Sequence, residues 1–318
     1  MRTNEDSLKP TGFDQANLDW NKVKENIDPA FWQRLRRVNF NGSTGDNMTH
    51  PQIADIIDDV CGAVNSDCVV HVCTNGSLRN TEWWRALGAR AAKYPNLSVV
   101  FGIDGLSDTH HLHRVGTDFD KIIANARAFI EAGGRAEWQM ILFQHNLHQV
   151  EECRALSQDL GFVKFFLRSE NRFHAGETTQ KVYWRGRETH TIEYPGRQVV
   201  ESLMDHTDEL NDYSQHQPKV DLSKKIQCRS QNIGWLSLYA DGTVWPCCWT
   251  MGWSYATHLS QHRSVNYHFK QVIGLDAGAI NVYNNKLMDI INSDVWQRSW
   301  PDSIRDLPNP ICVQQCSR

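Results

Sequence analysis

The residues best placed for chemistry are four cysteines. Cys228 is followed by thirteen residues, Gly242, four more residues and Cys247; Cys312 and Cys316 follow one helical turn apart. Four thiolates hold either an iron–sulfur cluster or a tetrahedral zinc ion. Zinc sites mostly use pairs two to four residues apart, and only the later pair here has that spacing, so the pattern favours iron–sulfur and leaves zinc open. Buried, inert thiols are the plain alternative, but two spaced pairs around a turn fit that reading poorly. The turn is Asp241-Gly242, between the runs that start at Trp235 and end at Trp245. It predicts a hairpin whose primed turn uses the positive φ open to glycine, and the hairpin would fold Cys247 back toward Cys228. Cys312 and Cys316, at i and i+4, share a face if the tail is helical. Cys248 directly follows Cys247, and adjacent side chains diverge in a strand, so it is not counted as a ligand.

A site of this kind needs a scaffold. Five short runs rich in strand-forming residues, Arg37–Phe40, Cys68–Cys73, Leu97–Ile103, Ala136–Phe143 and Val163–Leu167, alternate with segments of helical spacing. The clearest helix runs from Asp118 to Ala132, with Phe119, Ile122, Ile123, Ala126 and Ile130 on one face and Gly133-Gly134 at its end. Such alternation predicts an α/β fold with parallel strands and right-handed crossovers. Five units are too few for a closed eight-fold barrel and suit an open or partial one, with ligands at the C-terminal strand ends.

The strand ends carry candidates. The first run leads into Asn41-Gly42-Ser-Thr-Gly45-Asp46, where glycines would let the backbone approach a ligand. The next ends carry Asn75-Gly76 and Asp104-Gly105; both also suit tight turns. A carboxylate such as Asp104 could accept from ribose hydroxyls. Arg168, ending the fifth run, could pair with a ligand carboxylate or lie in a surface ion pair. Gln139 and Gln144 bracket the fourth run. The three histidines of Asp108-Thr-His-His-Leu-His-Arg114 lack ligand spacing as a set and read as a polar or substrate-facing loop.

Residues 173–221 are polar and read as a connector with a short helix near Val199–Met204. Beyond it lie six of the twelve tryptophans and five of the nine cysteines, which places a boundary near residue 222. The expected organisation is a barrel over 1–175, a connector over 176–222 and a cysteine-rich hairpin and helix extension over 223–318. The formal net charge of −4, without a block of like charge, argues against a nucleic-acid partner. No apolar run approaches the ~18 residues of a membrane span, and no apolar leader segment stands at the start, so a cytoplasmic, reduced protein is expected.

Cys228-x13-Gly242-x4-Cys247 with a late Cys312-x3-Cys316 resembles the SPASM or twitch extension of radical S-adenosylmethionine (radical SAM) enzymes, and the strand-end sequences TNG and IDG fit that family. The resemblance spans about Asn17 to Cys316. It implies a partial (β/α)6 TIM-like barrel lacking its first strand, with an auxiliary [4Fe-4S] cluster on Cys228, Cys247, Cys312 and Cys316. It also implies S-adenosylmethionine (SAM) at Asn41, Gly42, Gly45, Asp46, Asn75, Asp104 and Arg168. Asn41 to Asp46 takes the place of the family's GGEP segment but departs from its wording. A reductant such as flavodoxin or ferredoxin, and an unidentified substrate for which a peptide is one class, are the implied partners. The family's first cluster uses Cys-x3-Cys-x2-Cys, which is missing from these 318 residues. Cys61, Cys68, Cys73 and Cys153 have other spacings and read as structural thiols. Two expectations follow: the motif lies upstream of Met1, which the retained strand ends favour, or the chain is a degenerate, non-catalytic iron–sulfur or zinc-binding member.

Overall fold

A computed structural model describes residues 17–42, 45–169, 178–204, 226–248, 250, 276–306, 312–313 and 316. Positions 43 and 44 of the first strand-end loop, and the boundary expected near residue 222, lie outside the described residues. In chain order come α1 (Trp20–Asn26), α2 (Pro29–Trp32), β1 (Arg37–Phe40), α3 (Ile53–Ala63), β2 (Val69–Thr74), α4 (Thr81–Ala91), β3 (Leu97–Gly102), α5 (His110–His113), α6 (Phe119–Glu131), β4 (Ala136–Leu142), α7 (Val150–Asp159) and β5 (Lys164–Ser169). They are followed by β6 (Thr179–Trp184), β7 (Arg187–Glu193), α8 (Arg197–Leu203), α9 (Arg229–Ile233), β8 (Ser237–Leu238), β9 (Val244–Trp245), α10 (Leu287–Asn292) and α11 (Trp300–Asp306). The chain forms two compact units, one of Met1–Leu8 with Trp32–His216, the other of Lys9–Phe31 with Gln217–Arg318.

In the first unit, β1 to β5 form one sheet in sequential order, every pair parallel. A doubly wound sheet would reverse its order at a switch point; this one advances one strand at a time, as a barrel wall does. One face is apolar and packs against helices. Trp84 of α4 stands 5.2 Å from Phe101 of β3 and 6.0 Å from Phe129 of α6, ring centre to ring centre. Trp138 of β4 is fully buried, and its indole N–H donates to the Ile103 carbonyl at 2.9 Å.

The opposite face is polar and half open. In register across it stand Asn39 with His71, Cys73 with Val100, Gly102 with Gln139, and Ile141 with Arg168. Toward the N-terminal strand ends His71 Nε2 lies 3.5 Å from Glu137. Burial alone would push the Glu137 carboxyl up, but His71, Ser98 and Lys164 outweigh it and hold the pKa below the usual value. The sheet base thus carries a satisfied polar contact, which reads as structure, and leaves the C-terminal mouth for ligands.

Helix α6 forms where the spacing placed it, and Asp118 caps it by accepting from the Lys121 N–H. Its buried stripe is rotated from the expected one: Ile122, Asn125, Ala126 and Phe129 are buried, while Phe119, Ile123 and Ile130 are half-buried. The cause is Asn125, whose amide donates to the Gly76 carbonyl at 2.8 Å and draws a polar position into the core.

The polar stretch read as a connector carries the antiparallel hairpin β6–β7. Val182 and Ile192 pack with Phe143 in a small core bordered by Val115 and Ile141. The Trp184 ring lies over Gly116, a position where any Cβ would collide with it. His190 Nε2 is 2.7 Å from the Leu112 carbonyl. The hairpin therefore covers the loop after β3 and the end of β4.

In the second unit, β8 and β9 pair as an antiparallel hairpin around Asp241-Gly242. Its turn differs from the primed form. Gly242 N–H donates to the Tyr239 carbonyl and Tyr239 N–H to the Thr243 carbonyl. Gly242 has φ +83, while Asp241 is not in the left-handed region. This is the three-residue loop with a glycine bulge. Residues 280–283 lie along it: Val244 N–H donates to Ile280, Val282 N–H to Gly242, and Asn281 Nδ2 to the Asp241 carbonyl. Helix α1 belongs to this unit, because Asp19 N–H donates to Tyr283 Oη at 2.7 Å and Lys286 Nζ to the Glu25 carbonyl at 2.6 Å.

Candidate functional site

The first two strand ends are tied together through Asp46. Its carboxylate accepts from Thr74 Oγ1 at 3.0 Å, the Asn75 N–H at 2.7 Å and the Met48 N–H at 2.9 Å. Asn47 Nδ2 bridges the same ends, donating to the carbonyls of Phe40 and Cys73 at 2.8 Å each. Gly42 lies so close to Gly45 that a Cβ on it would meet the Gly45 carbonyl oxygen. Asn75 closes a local turn on Ser77, accepting from its N–H at 2.9 Å and from its hydroxyl at 2.5 Å. Asp46 and Asn75 thus shape the loop with their side chains, and what they offer a ligand is chiefly the backbone around them.

Asp104 departs from its expected role. It is fully buried and accepts from His113 Nδ1 at 2.6 Å, Arg114 Nε at 2.5 Å and the Ile141 N–H at 2.8 Å. Burial would raise its pKa, but Arg114, His113 and the Ile141 amide outweigh that and hold the carboxyl well below the usual carboxylate range. A ribose cannot reach a carboxylate sealed in this way; Asp104 anchors the loop instead. The histidine-rich segment supplies its partners. His110 Nδ1 accepts from the Asp104 N–H at 3.1 Å, His113 meets the carboxylate, and His111 is exposed, so the three histidines converge on no common point. Arg168 faces the open side, with Nη1 donating to Gln139 Oε1 at 3.0 Å.

In the second unit the four expected thiols lie within electrostatic reach of one another. The Gln227 N–H donates to the Cys316 carbonyl at 2.9 Å, which sets Cys228 beside Cys316. Burial raises the Cys228 pKa, the neighbouring Cys316 and Cys247 add to it, and the N–H groups of Gln231 and Ser230, aimed at its sulfur, oppose it. Cys312 is buried and its pKa stands well above the normal thiol value, by burial first and then through Cys247, Cys316 and Cys228. Cys247 Sγ takes a 3.5 Å contact from the Thr250 N–H. Cys248 is exposed. Among the described residues no three His, Cys, Asp or Glu side chains are closed into a metal-ligating group. Protonated thiols have no attraction for one another; a bound cation or cluster supplies it and deprotonates them. Four thiols within electrostatic reach, with N–H donors aimed at one of them, are a donor set of the chemistry an iron–sulfur cluster takes. The remaining cysteines differ: burial, as the leading cause, pushes Cys61 and Cys153 up to about 12, which leaves them inert.

The fold resembles that of SuiB. The crystal structure of Streptococcus suis SuiB bound to S-adenosylmethionine aligns with a TM-score of 0.55 at 14% identity, over 95% of this chain and 65% of SuiB. The chain therefore spans less than two thirds of SuiB's own length. Native anSMEcpe with bound AdoMet and Cp18Cys peptide gives a TM-score of 0.49 at 11% identity, over 94% of this chain and 81% of that one. No protein-family model matches the chain, and no curated protein matches it significantly. At 14% identity the likeness to SuiB is one of fold, and the chemistry has to be argued from this chain's own side chains.

Two features of the mouth were missed in the sequence. The β6–β7 hairpin hid in a polar stretch, although Thr-Gln-Lys-Val-Tyr-Trp followed by Arg-Gly and Arg-Glu-Thr-His-Thr-Ile alternates as a hairpin does. Arg114 was seen only as the end of a histidine run. No local signal marks it, because its role depends on Asp104 ten residues away.

Proposed function

We propose that this chain is a radical SAM protein whose C-terminal unit holds an auxiliary iron–sulfur cluster on Cys228, Cys247, Cys312 and Cys316. What supports the reading is that these four thiols, drawn from three separate stretches of sequence, lie within electrostatic reach of one another, with the Gln227 N–H bonded to the Cys316 carbonyl. The parallel five-strand sheet of the first unit, with its SuiB-like fold, supports it.

When bound, the groups would supply reductive cleavage of SAM at the family's first cluster and electron relay or substrate anchoring at an auxiliary cluster held by the four cysteines. The chain's residues divide the remaining work. Asn41, Gly42 and Gly45 present backbone to the ligand, while Asp46 and Asn75 hold the two loops in place. Arg168 offers a guanidinium, positioned by Gln139, to the methionyl carboxylate. Asp104 orders the loop behind them. Radical chemistry on this reading also calls for the family's first cluster and a reductant such as flavodoxin or ferredoxin; a peptide is the substrate class implied by the family resemblance.

Anaerobic reconstitution with iron and sulfide, followed by metal analysis, tests the reading. About four irons and four sulfides per chain are expected. Stoichiometric zinc without sulfide, or iron retained after Cys228 and Cys312 are both changed to serine, would overturn it.

A further inference from the structure

A second cation stands at the C-terminal mouth of the parallel sheet. Arg114 follows α5, and its side chain is 18% exposed. Its Nε is fixed to Asp104 Oδ2. The guanidinium lies flat against Gly102, where a Cβ would stand 2.6 Å from Nη2 and 3.2 Å from Cζ. Gly102 pairs in register with Gln139, and Gln139 accepts from Arg168. Neighbouring strands lie about 4.8 Å apart, so two guanidiniums flank one glutamine on the open face.

Among the described residues nothing accepts from Arg114 Nη1 or Nη2. One edge of the fork is used, and the other keeps contact with solvent at the mouth. A carboxylate arriving there accepts from two N–H groups at once in the bidentate geometry that suits a guanidinium. Anchoring through Nε also fixes the plane of the guanidinium, so little side-chain freedom is lost when a ligand arrives.

We propose that Arg114 is a ligand-binding residue whose Nη fork, beside Arg168 and above Gly102, receives a carboxylate. This deepens the radical SAM reading and rests on the same strand-end mouth. The carboxylate has two possible sources, the methionyl group of SAM or an acid on the substrate.

Calorimetric titration of the full chain with four probes separates them: SAM, decarboxylated SAM, glutarate and glutaramide. Two variants are compared. Arg114→Gln removes the fork. Gly102→Ala keeps Asp104 paired but places a methyl group where Nη2 lies; Gly102 is outside the left-handed region, so alanine fits its backbone. The wild type should bind an acid over its neutral counterpart by about tenfold or more, and both folded variants should lose that preference. Preference for SAM over decarboxylated SAM assigns the methionyl carboxylate; preference for glutarate over glutaramide assigns a substrate acid. Glutarate discrimination without any SAM binding keeps Arg114 as the carboxylate residue and removes the SAM reading. A wild type indifferent to the carboxyl group, or a folded Gly102→Ala that discriminates like the wild type, overturns the proposal.

Discussion

The Gln227 N–H donates to the Cys316 carbonyl at 2.9 Å, and this bond ties the backbone before the first cysteine of the proposed ligand set to the last one. The hairpin returns Cys247, and Cys312 comes in buried.

The four sulfurs should therefore be separable from their neighbours by mutation. Cys228→Ser and Cys312→Ser should each lower reconstituted iron severalfold and bleach the visible absorbance of the cluster. Cys248→Ser, at an exposed position, should leave both unchanged. Iron and sulfide analysis beside absorbance spectra checks this; equal loss in all three variants would mean that the ligand set is wrongly drawn.

Gly242 explains the glycine in Cys-x13-Gly-x4-Cys. Its φ of +83 is strained for other residues, and a Cβ would stand 2.6 Å from Asn281 Oδ1 and 2.7 Å from the Tyr283 ring. Gly242→Ala should cost about 1–3 kcal/mol and shift Cys247 away from Cys228. Urea unfolding should show the loss, and iron uptake should fall with it, although the substitution is not at a ligand. Wild-type stability in this variant would argue against the turn geometry.

The strands were legible because β2 to β5 combine short β-branched runs with Gly or Asp at their ends, and that signal is local. The helix-facing stripe of α6 was misjudged by one step, since the donation from Asn125 to Gly76 is a tertiary contact that no periodicity contains. Asp104 was placed correctly at a strand end and given the wrong partner. From sequence a carboxylate there looks open; only the fold brings His113 and Arg114 around to cover it. Cysteine spacing is itself chemical and so can be read from sequence, whereas Arg114 became visible only through the absent Cβ of Gly102.

The β6–β7 hairpin is held by few apolar contacts, so it should open before the sheet does. Val182 is fully buried against Phe143 and Ile192. Val182→Ala should cost about 1–3 kcal/mol locally. Amide exchange should accelerate across residues 179–193 while β3 and β4 stay protected. Uniform acceleration through both would show that the hairpin and the sheet unfold as one.

The Asp104 network should also give the protein a two-step acid response. His110 is buried, and burial, aided by Arg114, His113 and His111 against the opposing Asp104, lowers its pKa to about 4. Unfolded, it would titrate near 6.5, so between about 6.5 and 4 the unfolded chain binds the extra proton and stability falls as the pH drops, by about 3 kcal/mol in all. Asp104 acts later. Its folded pKa is depressed, so its contribution is fully present above the unfolded value near 3.9 and is lost only as the pH falls below it. Urea midpoints measured from pH 7 to about pH 2 should decline across the upper window and through the part of the lower one that this range reaches. His110→Asn, which keeps an acceptor for the Asp104 N–H, should flatten the upper window and spare the lower one. Asp104→Asn should remove the lower step and cost about 3–5 kcal/mol at pH 7, because Arg114 is left without its counter-charge. An upper window unchanged in His110→Asn would assign it to another group, with His145, also lowered to about 4 chiefly by burial, the next to replace.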